Sequence, residues 1–302
     1  MPARILEYLG QQVLETGPVI KPAQSGALCP FSGNPCSKVN RSEPLKPVCT
    51  VSTRGKSWIV CKDRLCSTSG VYFNDYQKDI LLQIAREVAQ RNVTEDEILY
   101  KREAPVAVPN ASSYHADYVM VIFPGKKNVL KLVVEMQGGG ETSSTGGLTS
   151  AVQEWEDAGE LRTNAMLAAV APKANAIETN AWRRQQEQFM VKGRVAVRSG
   201  GKLVFCIGEL IFDYLQSKFA AHPPEDLRSG NWTLCLIAIK SDTVESSPAS
   251  PLQVGIDRAR TIFTDYDSFV RAITSVGGVD QTLFAPPYIG LNGRDWVGEG
   301  EL

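Results

Sequence analysis

Asp117-Tyr-Val-Met-Val-Ile-Phe123, the connection Pro124-Gly-Lys-Lys-Asn128, and Val129-Leu-Lys-Leu-Val-Val-Glu135-Met-Gln137 decide the fold. Two apolar runs joined by five residues rich in turn formers predict an antiparallel hairpin. A hairpin symmetric about Lys126 pairs residues whose numbers sum to 252, and this sets Asp117 opposite Glu135. Directly opposed residues hold their Cβ atoms about 5 Å apart. Two carboxylates that close repel each other unless a cation sits between them or one takes up a proton. Oxygen donors of this kind suit Mg²⁺. Gln137 lies two residues beyond Glu135 and projects from the same face, whereas Leu132, Val134 and Met136 turn the other way, into a core.

Outward from the hairpin the pattern alternates between helix and strand. Residues 78–92 predict an amphipathic helix with Ile80, Leu81, Ile84 and Val88 on one face. A Gly/Ser/Thr-rich loop occupies 138–147, and helical segments follow at 150–172 and 179–193. A strand over Lys202–Ile207, a helix over 209–219, a strand over Trp232–Ile239 and a last helix over Ile256–Ile273 complete the reading. The order predicts an α/β fold with a central mixed β-sheet flanked by helices. Residues 1–70 are turn-rich and basic and read as a small separate region, with a short helix at the very start; residues 71–302 form the main domain.

The chain has 302 residues, and 43% are hydrophobic, so it can bury a large core and is not a disordered chain. No apolar run approaches the roughly 20 residues that span a bilayer, so a cytoplasmic protein with no membrane partner is expected. A net charge of −1 argues at first against nucleic acid. It hides two basic zones. Residues 21–66 carry eight Lys or Arg against two acids, a local +6, and 181–202 carry six against one, a local +5, which leaves −12 elsewhere. Basic zones on an acidic body suit a DNA groove as well as they suit solvated loops.

Five of the seven cysteines fall between Cys29 and Cys66. In a reducing compartment such a cluster favours metal over disulfides. Cys29, Cys36, Cys49 and Cys61 are the expected ligands of one structural iron or zinc, and Cys66 is the spare. Few large apolar residues lie between 21 and 56, so a metal-thiolate site would supply folding energy that the region lacks. Cys206 and Cys235 sit in apolar runs and read as inert core residues.

Asp117 followed on the next strand by Glu135-Met-Gln137 resembles the PD-(D/E)xK nuclease core of type II restriction endonucleases, in the variant with Gln in place of Lys. Ala116 stands where that motif has its proline. The cysteine cluster, with twelve residues between Cys36 and Cys49, resembles the branch that carries an N-terminal four-cysteine iron site. The resemblance implies a restriction-endonuclease-like core. It implies Asp117 and Glu135 as ligands of a catalytic Mg²⁺, with Gln137 orienting water or a scissile oxygen. It further implies that Glu87, at the edge of the first helix's apolar stripe, joins them. The expected partners are double-stranded DNA and a second copy of the chain, at a GC-rich palindrome cut to leave 5′ overhangs.

Arg183, Arg184, Lys192, Arg194 and Arg198 are the candidate DNA contacts, since Arg and Lys grip phosphates and Arg reads guanine. His115, two residues before Asp117, is expected to hydrogen-bond near the site rather than act as a base. Two other classes compete: a repair or transposition nuclease with the same core, and a non-catalytic metal-thiolate DNA-binding protein. The second has no need of opposed acids at a strand end.

Overall fold

The computed structural model describes residues 4–39, 46–65, 75–107, 114–123, 129–138, 145–169, 177–220, 222–242, 250–274, 288–289 and 295–296. The chain opens with strands β1 (Arg4–Tyr8), β2 (Gln11–Gln12), β3 (Val48–Thr53) and β4 (Lys56–Ile59), then helix α1 (Asp75–Ala89). Strands β5 (Ile98–Val106), β6 (Tyr114–Ile122) and β7 (Leu130–Gln137) follow, and then helices α2 (Thr145–Asp157), α3 (Asn164–Ala168) and α4 (Ile177–Arg198). Next come β8 (Lys202–Gly208), α5 (Glu209–Lys218), β9 (Leu234–Asp242), β10 (Gln253–Thr264) and α6 (Tyr266–Thr274). Tyr288–Ile289 pairs with Asp295–Trp296 in a short ribbon near the end.

The main body is a six-stranded mixed sheet in the order β10-β9-β8-β7-β6-β5. β7, β8 and β9 run parallel, and the remaining neighbours are antiparallel. Parallel neighbours need crossovers, and α4 and α5 supply them between β7 and β8 and between β8 and β9. Helices cover both faces. Ile80, Leu81, Ile84 and Val88 of α1 pack with Tyr118, Met120, Leu132, Val134 and Met136 on one side. On the other, Trp182 and Phe189 of α4 and Ile211 and Leu215 of α5 pack with Leu203, Phe205 and Leu236. The fold is α/β with a mixed sheet between helices, as the pattern predicts.

The hairpin register agrees with the symmetry of the sequence. Tyr118 pairs with Val134 and Met120 with Leu132, and each pair sums to 252. The connecting residues 124–128 lie outside the described residues, as do most of the expected 138–147 loop and Cys66.

Three expectations fail. The first residues form strand β1, not a helix. Five residues are too few to separate the two periods, and β1 is held by pairing with distant β3. The expected helix over 256–273 is a strand to Thr264 and a helix only from Tyr266. A bulge lies between Asp257, opposite Ala238, and Thr261, opposite Ile237. It shifts the buried positions from even to odd numbers and so masks the two-residue period. The edge strand β5 carries no signal, because only Val106 of its nine residues is buried. The expected helix over 150–172 is divided into α2 and α3, with a 3-10 turn between them.

The N-terminal strands form their own sheet, in the order β2-β1-β3-β4. Its Ile5, Tyr8, Val48, Val51 and Trp58 enter the same apolar cluster as Phe205 and Phe212. The region therefore shares a core with the main body, which answers its own shortage of large apolar residues.

Candidate active site

β6 and β7 place Asp117 and Glu135 side by side on the face covered by α4. The backbone N–H of Asp117 donates to Glu135 Oε1 at 3.3 Å. The N–H of Met136 donates to Asp117 Oδ2 at 2.8 Å. Each carboxylate is thus clamped by the other strand's end. Asp117 Oδ1 accepts no hydrogen bond from the described residues, and Asp117 is only half-buried, so that oxygen remains available to a ligand. Glu135 is buried. Burial pushes its carboxyl up to about 8, with repulsion from Asp117 adding and Lys192 opposing. Burial also raises Asp117. Ionising both carboxylates is therefore penalised here, and a cation between them relieves that penalty. Mg²⁺ is commonly held by one or two carboxylates, with water and phosphate oxygens completing its shell, so the donor set fits that ion.

Gln137 follows on the same face, half-buried, and its amide makes no hydrogen bond to the described residues. It is free to orient a small polar group.

Lys192 differs from its expected place among exposed DNA contacts. Its side chain is 3% exposed, and Nζ donates to Glu135 Oε2 at 2.6 Å. The signal for this lies in α4 itself. Trp182, Phe189 and Ala196 form its buried stripe, and Lys192 falls within that stripe rather than on the solvent face. Gly193 sets the approach. A Cβ there would stand 2.2 Å from the Tyr266 ring and 2.9 Å from Leu203, so only glycine lets α4 come this close. Near the start of β6, Tyr114 OH donates to Glu187 Oε1 at 2.5 Å and adds a second tie from α4 to the site strands.

The remaining candidates are dispersed. Glu87 is buried in α1 with the residues that cover the opposite face, where Arg228 pairs with it at 3.1 Å. The sheet separates it from Asp117 and Glu135. Arg194 pairs with Asp267 at 2.7 Å and lies over the Tyr266 ring. Arg183 and Arg198 are exposed on α4, and the side chain of Arg184 lies outside the described residues. His115 is exposed on β6.

Cys29, Cys36, Cys49 and Cys61 are all buried and share one cluster with Phe31. Burial raises the thiols of Cys36, Cys49 and Cys61. Lys38 is buried beside them, with Nζ donating to the Val48 carbonyl at 2.8 Å, and its charge opposes those shifts. Among the described residues, no three His, Cys, Asp or Glu side chains converge as a metal-binding group. Cys206 and Cys235 are fully buried in the sheet, and burial drives both thiols upward, as inert core residues require.

Comparison with known protein families and with curated protein sequences returns no match to either. No helix among the described residues is long and apolar enough to cross a membrane.

Proposed function

We propose that the chain is a Mg²⁺-dependent nuclease with a PD-(D/E)xK core, a type II restriction endonuclease that hydrolyses double-stranded DNA at a palindrome. The observation that carries this reading is the opposed pair Asp117 and Glu135, each hydrogen-bonded to the other's strand, with one Asp117 oxygen uncommitted.

The uncatalysed hydrolysis is slow because an anionic phosphate repels hydroxide. A divalent cation lowers the pKa of its water and draws charge from phosphate oxygen. Asp117 and Glu135 would hold that cation. Gln137 offers a carbonyl to accept from the attacking water and an N–H to donate to a scissile oxygen. The exposed Arg183 and Arg198 of α4 grip backbone phosphates. Two copies related by a two-fold axis match the symmetry of a palindrome. Cys29, Cys36, Cys49 and Cys61 are the residues that would hold a structural iron or zinc, with Lys38 offsetting part of the thiolate charge.

Purified protein incubated with plasmid and Mg²⁺ is expected to give discrete bands, and none with EDTA. Asp117→Asn and Glu135→Gln should each lower the rate by at least about 10²-fold, with DNA binding retained in Ca²⁺. A smear would indicate a non-specific nuclease. Full cleavage by both variants, or none by the wild type, overturns the assignment.

A further inference from the structure

We propose that Lys192 is a catalytic residue of this site: α4 delivers to Glu135 the positive charge that the hairpin, ending in the neutral Gln137, does not carry. This rests on the nuclease reading and deepens it.

Three observations support it. First, a buried ammonium is tolerated only with close pairing, and Lys192 is 3% exposed, so its place is set by its charged partner. Its partner is Glu135 Oε2 at 2.6 Å. Second, the local geometry is built for this contact. Gly193 removes the Cβ that would hold α4 away, and Tyr114 ties the same helix to β6 through Glu187. Third, no other cation pairs with the two carboxylates among the described residues. Among the described residues, Glu135 is ion-paired with Lys192 alone and Asp117 has no ion pair.

Hydrolysis forms a bond from water oxygen to phosphorus and breaks the P–O3′ bond. The water proton leaves to solvent and the departing 3′ oxygen takes one up. Negative charge grows on the non-bridging phosphate oxygens as this happens. An ammonium hydrogen-bonded to Glu135 stands beside whatever the two carboxylates hold. A donor placed where charge grows lowers the barrier more than it aids binding. A mere counter-ion would instead neutralise Glu135 until a cation displaced it and would take no part afterwards.

The two roles separate in Lys192→Gln, which keeps a hydrogen-bond donor and loses the charge, and in Lys192→Arg, which keeps the charge. Mn²⁺ binding by calorimetry is read beside plasmid cleavage at saturating Mg²⁺. Lys192→Gln is expected to bind Mn²⁺ at least as tightly as wild type, with KM for DNA within a few-fold, and to cleave about 10²- to 10³-fold more slowly. Lys192→Arg should recover part of the rate. A wild-type rate for Lys192→Gln at saturating Mg²⁺ makes Lys192 a counter-ion and overturns the proposal. So does a loss of Mn²⁺ binding that accounts for the slower rate. Should Lys192→Gln not fold, folded Lys192→Arg is compared with wild type at saturating Mg²⁺; a variant that keeps the charge and binds Mn²⁺ as wild type does but cleaves no DNA also overturns it. A wild type that cuts no DNA would instead dispose of the nuclease reading itself.

Discussion

Glu135 is the residue on which the site turns. Its carboxyl is raised to about 8 by burial and by Asp117 beside it. A carboxyl raised in the fold above its ordinary 4.5 favours the native state when protonated. That contribution is present at low pH and is lost as pH rises toward 8. Metal-free wild type is therefore expected to lose melting temperature relative to Glu135→Gln as the pH rises from 5 to 8, a pH-dependent gap that adds to the constant cost of leaving Lys192 without its charged partner. Saturating Mg²⁺ should close the gap, since the cation binds the ionised form. A difference that stays flat across that range would contradict the assignment. The carboxylates were legible in the sequence because pairing in a short hairpin is arithmetic. Lys192 was legible only as a basic residue, since its burial depends on which face α4 turns to the sheet.

At the scale of elements, α4 both closes the parallel crossover and completes the site. Gly193 is the residue where these two demands meet. Alanine normally favours a helix interior by up to about 1 kcal/mol over glycine. Here the added Cβ would meet the Tyr266 ring and Leu203, and overpacking of that kind costs about 1–3 kcal/mol. Gly193→Ala should lower stability in urea unfolding and, under the proposed nuclease function, also reduce cleavage, because displacing α4 withdraws Lys192 from Glu135. A stabilised Gly193→Ala variant would contradict that packing. Long elements with a clean period, such as α1, β6, β7 and β8, are readable from local pattern. β10 is not, because its bulge changes the buried parity midway, and β5 is not, because an edge strand buries little.

At the scale of the molecule, the N-terminal sheet is joined to the main body around a buried ion pair of its own that reaches Leu252 and Tyr76. Arg64 Nε donates to Glu7 Oε2 at 2.6 Å, and both side chains are fully buried. Glu7 also accepts from Thr50 Oγ1 at 2.8 Å and from the Leu252 N–H at 3.0 Å. The Arg64 guanidinium lies over the rings of Phe31, 4.5 Å away, and Tyr76, 4.4 Å away. The clasp thus connects β1, the cysteine segment, α1 and the approach to β10. Arg64→Met leaves Glu7 charged and unpaired, which should cost about 3–5 kcal/mol. Loss of the fold should be shared by both sheets in one transition, followed by tryptophan fluorescence and by circular dichroism. Two separate transitions would show that the sheets are independent. By itself the sequence determined the α/β pattern, the hairpin register and the opposition of Asp117 to Glu135, because these follow from residue periods and short-range pairing. Only the tertiary structure decided that Glu87 lies across the sheet, that Lys192 joins Glu135, and that the cysteine region shares the main core. Those outcomes depend on which surfaces are buried against each other, and burial of a charge is settled by partners distant in the chain.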